Sequence, residues 1–211
     1  MIFRFKRLVV LLSCLLPFQV IADKDHFSSH AWSLNASLGY ESYSDMYQKD
    51  GLTALSRLGI AVKIAEFKNF FLAVEAGIQS GTRMRLKVPF ELLDEMGGLP
   101  LEITVKPMLD LLLTAQTISS KNLSLSLIAK GGIAYRQQQL FRQSVNNLSQ
   151  VNAEMQIGFG YKINKYAGLS LLYQHVFGGH PNFRYNSTTE KGHIDNITKE
   201  QGVLFGISIS A

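Results

Sequence analysis

Five histidines, one cysteine and a regularly phased set of charges are the residues able to do chemistry in this 211-residue chain. His175 and His180 lie close together, with Ser187, Glu190 and Asp195 downstream. A histidine beside a serine nucleophile and an acid, held at a lipid surface, would make a lipid-acting hydrolase. The stretch His175-Val176-Phe177 has no serine at a useful spacing, and His180 with His193 lacks a paired ligand motif for a metal. His26 and His30 stand apart from these, and the loop histidines read as solvated side chains. No glycine-rich phosphate cradle is visible, since Gly77, Gly131 and Gly132 fall in strand-like segments. The expectation is a protein without catalytic residues, cofactor or metal.

The ordinary charges are more informative. Glu41, Arg57, Lys63, Glu75, Asp110, Lys130, Glu154 and Lys162 all fall on the polar phase of alternating segments. In an antiparallel hairpin, facing residues sum to twice the turn centre. Asp110 and Lys130 centre on Ser120, Lys130 and Glu154 near Arg142, and Glu41 and Arg57 at Gln48 to Lys49. This arithmetic predicts a network of Asp110, Lys130 and Glu154, with Glu41–Arg57 as a second pair. Such a network could gate ions. A filled, charge-paired core is the stronger reading, because removing one partner strands a buried charge.

The elements that would hold these residues are strands. Eight segments alternate with period two. Trp32, Leu34, Ala36, Leu38 and Tyr40 share a face in the first. Leu58 to Ile64 form the second and Phe70 to Ile78 the third. The fourth runs from Ile103 to Leu113 through Pro107, which favours a bulge or an upper rim there. The fifth spans Leu123 to Tyr135, the sixth Val151 to Tyr161, the seventh Leu169 to Phe177 and the eighth Val203 to Ile209. Connections alternate between tight (65–69, 117–122, 164–168) and long (42–51, 80–100, 137–149, 178–201). An even strand count, short turns at one end and long loops at the other describe an outer-membrane barrel. In such a barrel the apolar face meets lipid and the polar face lies inside. Trp32, Phe70 and Tyr161 near the short turns, and Tyr40, Tyr135 and Phe177 near the loops, fit two aromatic girdles.

The predicted fold is therefore all-β, an eight-stranded antiparallel up-and-down transmembrane barrel over residues 23–211. A soluble periplasmic lipid carrier of lipocalin type would need the apolar face inside. The small residues Ala73, Gly77, Gly132 and Gly158 share the polar face, which argues that the polar face is the interior. In the second long loop, Thr82, Met84, Leu86 and Val88 keep an apolar face, Phe90 to Met96 suits a short amphipathic helix, and Gly97-Gly98 makes a turn. This hairpin is expected to rise above the membrane as an interaction ledge.

Residues 1–22 read as a secretory leader. Arg4, Lys6 and Arg7 precede an apolar run from Leu8 to Leu16, and Val20-Ile21-Ala22 supplies small residues for cleavage after Ala22. Cys14 lies in this leader, so the mature chain offers no disulfide or thiolate chemistry, and lipidation at Cys14 is not expected. The net charge of +5 includes the three cations of the leader, which leaves too little basicity to argue for nucleic acid.

The segment Gly158-Phe159-Gly160-Tyr161-Lys162-Ile163-Asn164-Lys165, followed by Leu169-Ser170-Leu171-Leu172-Tyr173-Gln174-His175-Val176-Phe177, resembles a strand pair of a known family. It is similar to the Gram-negative outer-membrane barrels of the opacity-protein and OmpA-membrane-domain type. The resemblance implies an outer-membrane location, eight strands, variable surface loops, and roles in envelope integrity, adhesion or host contact. It implies as partners outer-membrane lipid and lipopolysaccharide, and a surface or host protein met through loops 80–100 and 178–201. Family members commonly end in an aromatic residue, whereas this chain ends Ile209-Ser210-Ala211. No second domain is expected after the last strand, and hence no peptidoglycan anchor of the two-domain kind. The alternative function is a barrel enzyme acting on lipid or lipopolysaccharide.

Overall fold

The computed structural model describes residues 31–47, 50–95, 97–98, 100–117, 124–140, 145–186, 188–189 and 191–210. The leader and its cleavage point lie outside the described residues, as do Ser187, Glu190 and the three turn centres used above. The elements in chain order are β1 (Trp32–Tyr43), β2 (Leu52–Glu66), β3 (Phe70–Gln79), β4 (Thr82–Arg85), helix α1 (Phe90–Glu95) and β5 (Glu102–Val105). They continue with β6 (Met108–Thr117), β7 (Leu125–Leu140), β8 (Leu148–Lys162), β9 (Ala167–Val176), β10 (Phe183–Asn186), β11 (Lys191–Ile194) and β12 (Glu200–Ser210).

Eight of these strands form a closed antiparallel barrel in the order β1-β2-β3-β6-β7-β8-β9-β12, with β12 pairing back onto β1. Every backbone donor and acceptor of a spanning strand can then find a partner in the ladder, as a lipid environment demands. The alternating exposure of β2, β8 and β12 shows why the sequence chooses this arrangement. Leu58, Ile60, Val62, Ile157, Phe159, Phe205 and Ile207 all point outward, half exposed. In water this belt would be an aggregation surface. Against hydrocarbon it is the solvent-facing side.

Short connections lie at one end. Phe67 closes the β2–β3 turn by donating its N–H to the Phe70 carbonyl at 2.8 Å. In the β8–β9 turn the Asn164 side-chain oxygen accepts from the N–H groups of Tyr166 and Ala167, both at 2.8 Å, the local turn chemistry for which Asn is selected. The long connections lie at the other end, which is the extracellular one in barrels of this type.

The predicted fourth strand is corrected. It is broken at Lys106-Pro107. Pro107 has no N–H to give a ladder, so β6 begins at Met108 and β5 leaves the barrel to pair with β4. Ile103 and Val105, read from the alternation as outward-facing with Leu109 and Leu111, are buried instead in the loop region.

Candidate functional site

The barrel interior is built in layers. At mid-barrel, Arg57 of β2 forks onto Asp110 of β6, with Nε to Oδ2 at 2.8 Å and Nη2 to Oδ1 at 2.5 Å. Its Nη1 also donates to Glu75 Oε1 of β3. Lys130 of β7 donates to Glu75 Oε2 at 2.7 Å, and Asn35 of β1 reaches the same oxygen at 3.2 Å. Arg57 and Glu75 are only 2% and 1% exposed. Fork geometry suits the burial, because the guanidinium satisfies two carboxylates at once. Gly77 makes room for it: a Cβ there would collide with the Arg57 guanidinium and lie 2.7 Å from Asp110 Oδ1.

A second polar layer lies toward the loops. Gln79 Nε2 donates to Glu41 Oε2 at 2.9 Å and to Glu200 Oε1 at 2.5 Å. Tyr43 donates to Glu41 Oε1 at 3.0 Å. Gln174 Nε2 bridges Gln79 Oε1 at 2.9 Å and Glu154 Oε1 at 2.7 Å, and Gln156 donates to the same Glu154 oxygen at 2.7 Å. Arg136, fully buried, donates to the Thr198 carbonyl at 2.8 Å and to Glu200 Oε2 at 3.3 Å. Leu55, Ile128, Leu172 and Leu204 pack together inside the same barrel. An eight-stranded barrel holds little more than its own side chains, and these layers fill it across its section.

The predicted pairings are corrected by this geometry. Arg57 does not pair with Glu41. In the ladder Glu41 stands opposite Thr53, Arg57 stands opposite Ser37, and Arg57 reaches Glu75 and Asp110 instead. Lys130 pairs with Glu75, not Asp110 or Glu154, and Glu154 is held by two glutamine amides. Lys63 sits at the short-turn mouth with Glu66 at 3.1 Å, over the Phe71 ring, and Lys162 is exposed at the same mouth. Arg136, Glu200 and the glutamines 79, 156 and 174 were not among the predicted network. Their signal was present, since Arg136 and the glutamines stand in the polar phase of their strands.

Trp32, Phe70 and Tyr161 face outward toward the short-turn end, and Tyr40, Tyr135 and Phe177 face outward toward the loop end. Phe70 stacks on Phe67 with ring centroids 4.6 Å apart. His175 packs edge-on against Phe177, His180 lies 3.1 Å from Asp45, and His193 lies 2.9 Å from Asp195. Among the described residues no group of three or more His, Cys, Asp or Glu is placed to hold a metal.

Above the barrel the four long loops share one apolar core. Tyr43 and Met46 come from the first, Met84, Leu86, Leu101, Ile103 and Val105 from the second, Leu140 and Val145 from the third, and Ile194 from the fourth. The β4–β5 hairpin joins the extended end of β7, pairing Ile103 with Leu140. Leu86 bridges Met46, and Arg85 forks onto Asp50 at 2.6 and 3.0 Å. That guanidinium, through its hydrogen bonds, holds the Asp50 carboxyl below the usual carboxylate range. Asn146 ties the third loop to the fourth by exchanging two hydrogen bonds with the Ile194 backbone, at 2.8 and 3.2 Å. Thr198 donates to the Ser44 carbonyl at 2.7 Å and closes the ring of loops. The expected short helix is α1. The chain leaves it through Gly97 and Gly98 at φ +83° and +73°, a left-handed exit that glycine makes without strain.

No protein-family model matches the sequence, and no curated protein sequence does either. Among solved structures the chain is similar to the outer membrane protein OprG from Pseudomonas aeruginosa, at 12% identity and a TM-score of 0.58, covering 86% of this chain and 97% of that one. It is also similar to Neisserial surface protein A, at 9% identity and a TM-score of 0.47 over 87% and 98% of the two chains. The outer membrane protein AlkL, determined in lipid bilayers, gives 13% identity and a TM-score of 0.46 over 90% and 94%. The likeness to OprG shows the fold. With the apolar belt, the inward polar face and the split between short turns and long loops, it defines the class. The protein has the fold of an eight-stranded outer-membrane β-barrel, with an apolar face turned to lipid and a polar interior. The polar faces lie inside, so the lipocalin-type carrier with an apolar lumen is ruled out.

Proposed function

We propose that this barrel is a non-enzymatic support that holds a folded platform of four loops at the cell surface. The platform serves envelope structure, adhesion or host contact. The single observation that carries this reading is the shared loop core over a barrel closed at mid-height: Met46, Leu86, Ile103, Leu140, Val145 and Ile194 pack as one unit. A pore has no use for a section crossed by Arg57, Glu75, Asp110 and Lys130, or for a cap with its own core. Loops that fold together present a fixed surface, which lowers the ordering cost of binding a partner. In this reading the apolar belt contacts outer-membrane lipid and the loop end stands among lipopolysaccharide. Loops 80–100 and 178–201 meet the surface or host protein. His175, against Phe177 at the loop end of the lipid face, acts as an interface residue and not as a catalytic base.

The test compares cells displaying the intact barrel with cells in which residues 82–105 are replaced by a tight turn. Adherence to host epithelial cells and to abiotic surfaces is scored, and a gel shift on boiling confirms barrel assembly. Loss of adherence with the shift retained supports the proposal. Unchanged adherence, or stepwise ion conductance by the intact protein in planar bilayers, overturns it.

A further inference from the structure

The filling of the interior changes below the Lys130–Glu75 pair. Toward the short-turn mouth the inward positions become small and hydroxylated, and they enclose a cavity of about 390 Å³. That volume falls within the range of small-molecule sites, roughly 300–1,000 Å³. Glycines at inward positions let the wall serines seat close against the strands. A Cβ at Gly206 would lie 2.6 Å from Ser170 Oγ and 2.7 Å from Ser37 Oγ, and one at Gly160 would lie 2.6 Å from Ser126 Oγ. Higher in the barrel, inward positions carry Leu, Gln and Arg.

The wall chemistry is specific. Ser37, Thr114, Gln116, Ser126 and Ser170 line the cavity with hydroxyl and amide groups. The charge is equally directed. Lys130 at the inner end and Lys63, Lys162 and Lys165 around the mouth line the cavity, against only Glu66 and Glu75. Two of the lysines engage those carboxylates, Lys63 with Glu66 and Lys130 with Glu75. A surplus of two positive charges remains.

We propose that this periplasm-facing vestibule binds a small anionic polyol, a sugar carrying a carboxylate or a phosphate. The hydroxyl wall meets the ring hydroxyls, and Lys162 and Lys165 meet the charge. An apolar ligand would leave the wall unsatisfied, and a cation would be repelled by the rim.

The protein, refolded in zwitterionic micelles, is titrated with glucuronate, glucose 6-phosphate, glucose and inorganic phosphate, and binding is read by isothermal titration calorimetry. Saturable binding of glucuronate or glucose 6-phosphate is expected, about tenfold tighter than glucose or inorganic phosphate, as a charge-assisted contact requires. The two charged sugars separate a glycan acid from a phosphorylated source. The double variant Lys162→Gln, Lys165→Gln should lose that tenfold while keeping its gel shift on boiling, and Ser170→Leu should block every sugar by filling the cavity. Lys87→Gln, at the loop end, should change nothing. The proposal is overturned if no probe saturates, or if glucose binds as tightly as the charged sugars. It is also overturned if inorganic phosphate alone matches glucose 6-phosphate, or if Lys87→Gln weakens binding as much as the double variant.

Discussion

Replacing Arg57 with methionine removes the one cation that Asp110 contacts among the described residues, while Glu75 keeps Lys130 and Asn35. The side chain is 2% exposed and its fork closes at 2.5 and 2.8 Å, so the intact pair is held out of water. Breaking a buried pair by removing one partner costs about 3–5 kcal/mol. Methionine keeps much of the volume, so little of that loss comes from a cavity. Urea titration of the protein in lipid vesicles, followed by the gel shift, should therefore show a loss of about 3–5 kcal/mol. The second half of the test is a cycle. Asp110→Leu in the Arg57→Met background removes the stranded carboxylate, and the double variant should recover more than half of the lost stability. A single variant within about 1 kcal/mol of the parent would mean that the pair is hydrated and the interior is not a sealed core. Failure of Asp110→Leu to restore stability would refute the charge argument in another way, by placing the defect in packing or assembly.

Three other perturbations address other parts of the molecule. Ile103→Ala, at a fully buried position of the loop core, should weaken that core by about 2–5 kcal/mol; loop proteolysis should accelerate while the boiling shift persists. Gly132→Val places a Cβ against the Leu111 carbonyl oxygen, a backbone atom that cannot rotate away. Overpacking there should lower barrel stability by about 1–3 kcal/mol in the same urea assay. Asp50 is held low by Arg85, so its contribution is present above the unfolded carboxylate value near pH 4 and fades as pH falls through the lower folded value. Hydrogen exchange at Tyr47 and Lys87, whose amides join the first loop and the hairpin, should lose protection in that acid window, and Asp50→Asn should abolish the pH dependence.

The barrel was legible because a two-residue period survives any register. Trp32 to Tyr40 or Val203 to Ile209 each declare an outward face whatever their neighbours are. The charge pairs were not legible, for a geometric reason. Hairpin arithmetic sees only adjacent strands, whereas inward side chains converge on the axis of a cylinder. A long residue such as Arg57 on β2 therefore finds Asp110, two strands away on β6. The turn centres also misled, because the long loops carry structure of their own. Glu41 and Thr53 are partners, so the first hairpin is centred nearer Tyr47 than Lys49. Ile103 and Val105 kept the phase of a spanning strand while belonging to the loop core, since Pro107 interrupts the ladder without disturbing the alternation. The upper layer of Glu41, Gln79, Arg136, Glu154, Gln174 and Glu200 was visible only as phase, and nothing local ranks one inward glutamine above another.

The shared loop core has a consequence for how this surface changes over generations. Surface loops that stand alone can be exchanged one at a time, each drifting under its own selection. Here a substitution at Leu86 is felt at Met46, and one at Asn146 is felt at Ile194. The four loops must therefore vary together or hardly at all, and an antibody raised against the folded protein would meet a conformation assembled from all of them. A peptide copied from any single loop would present the right residues without the shape.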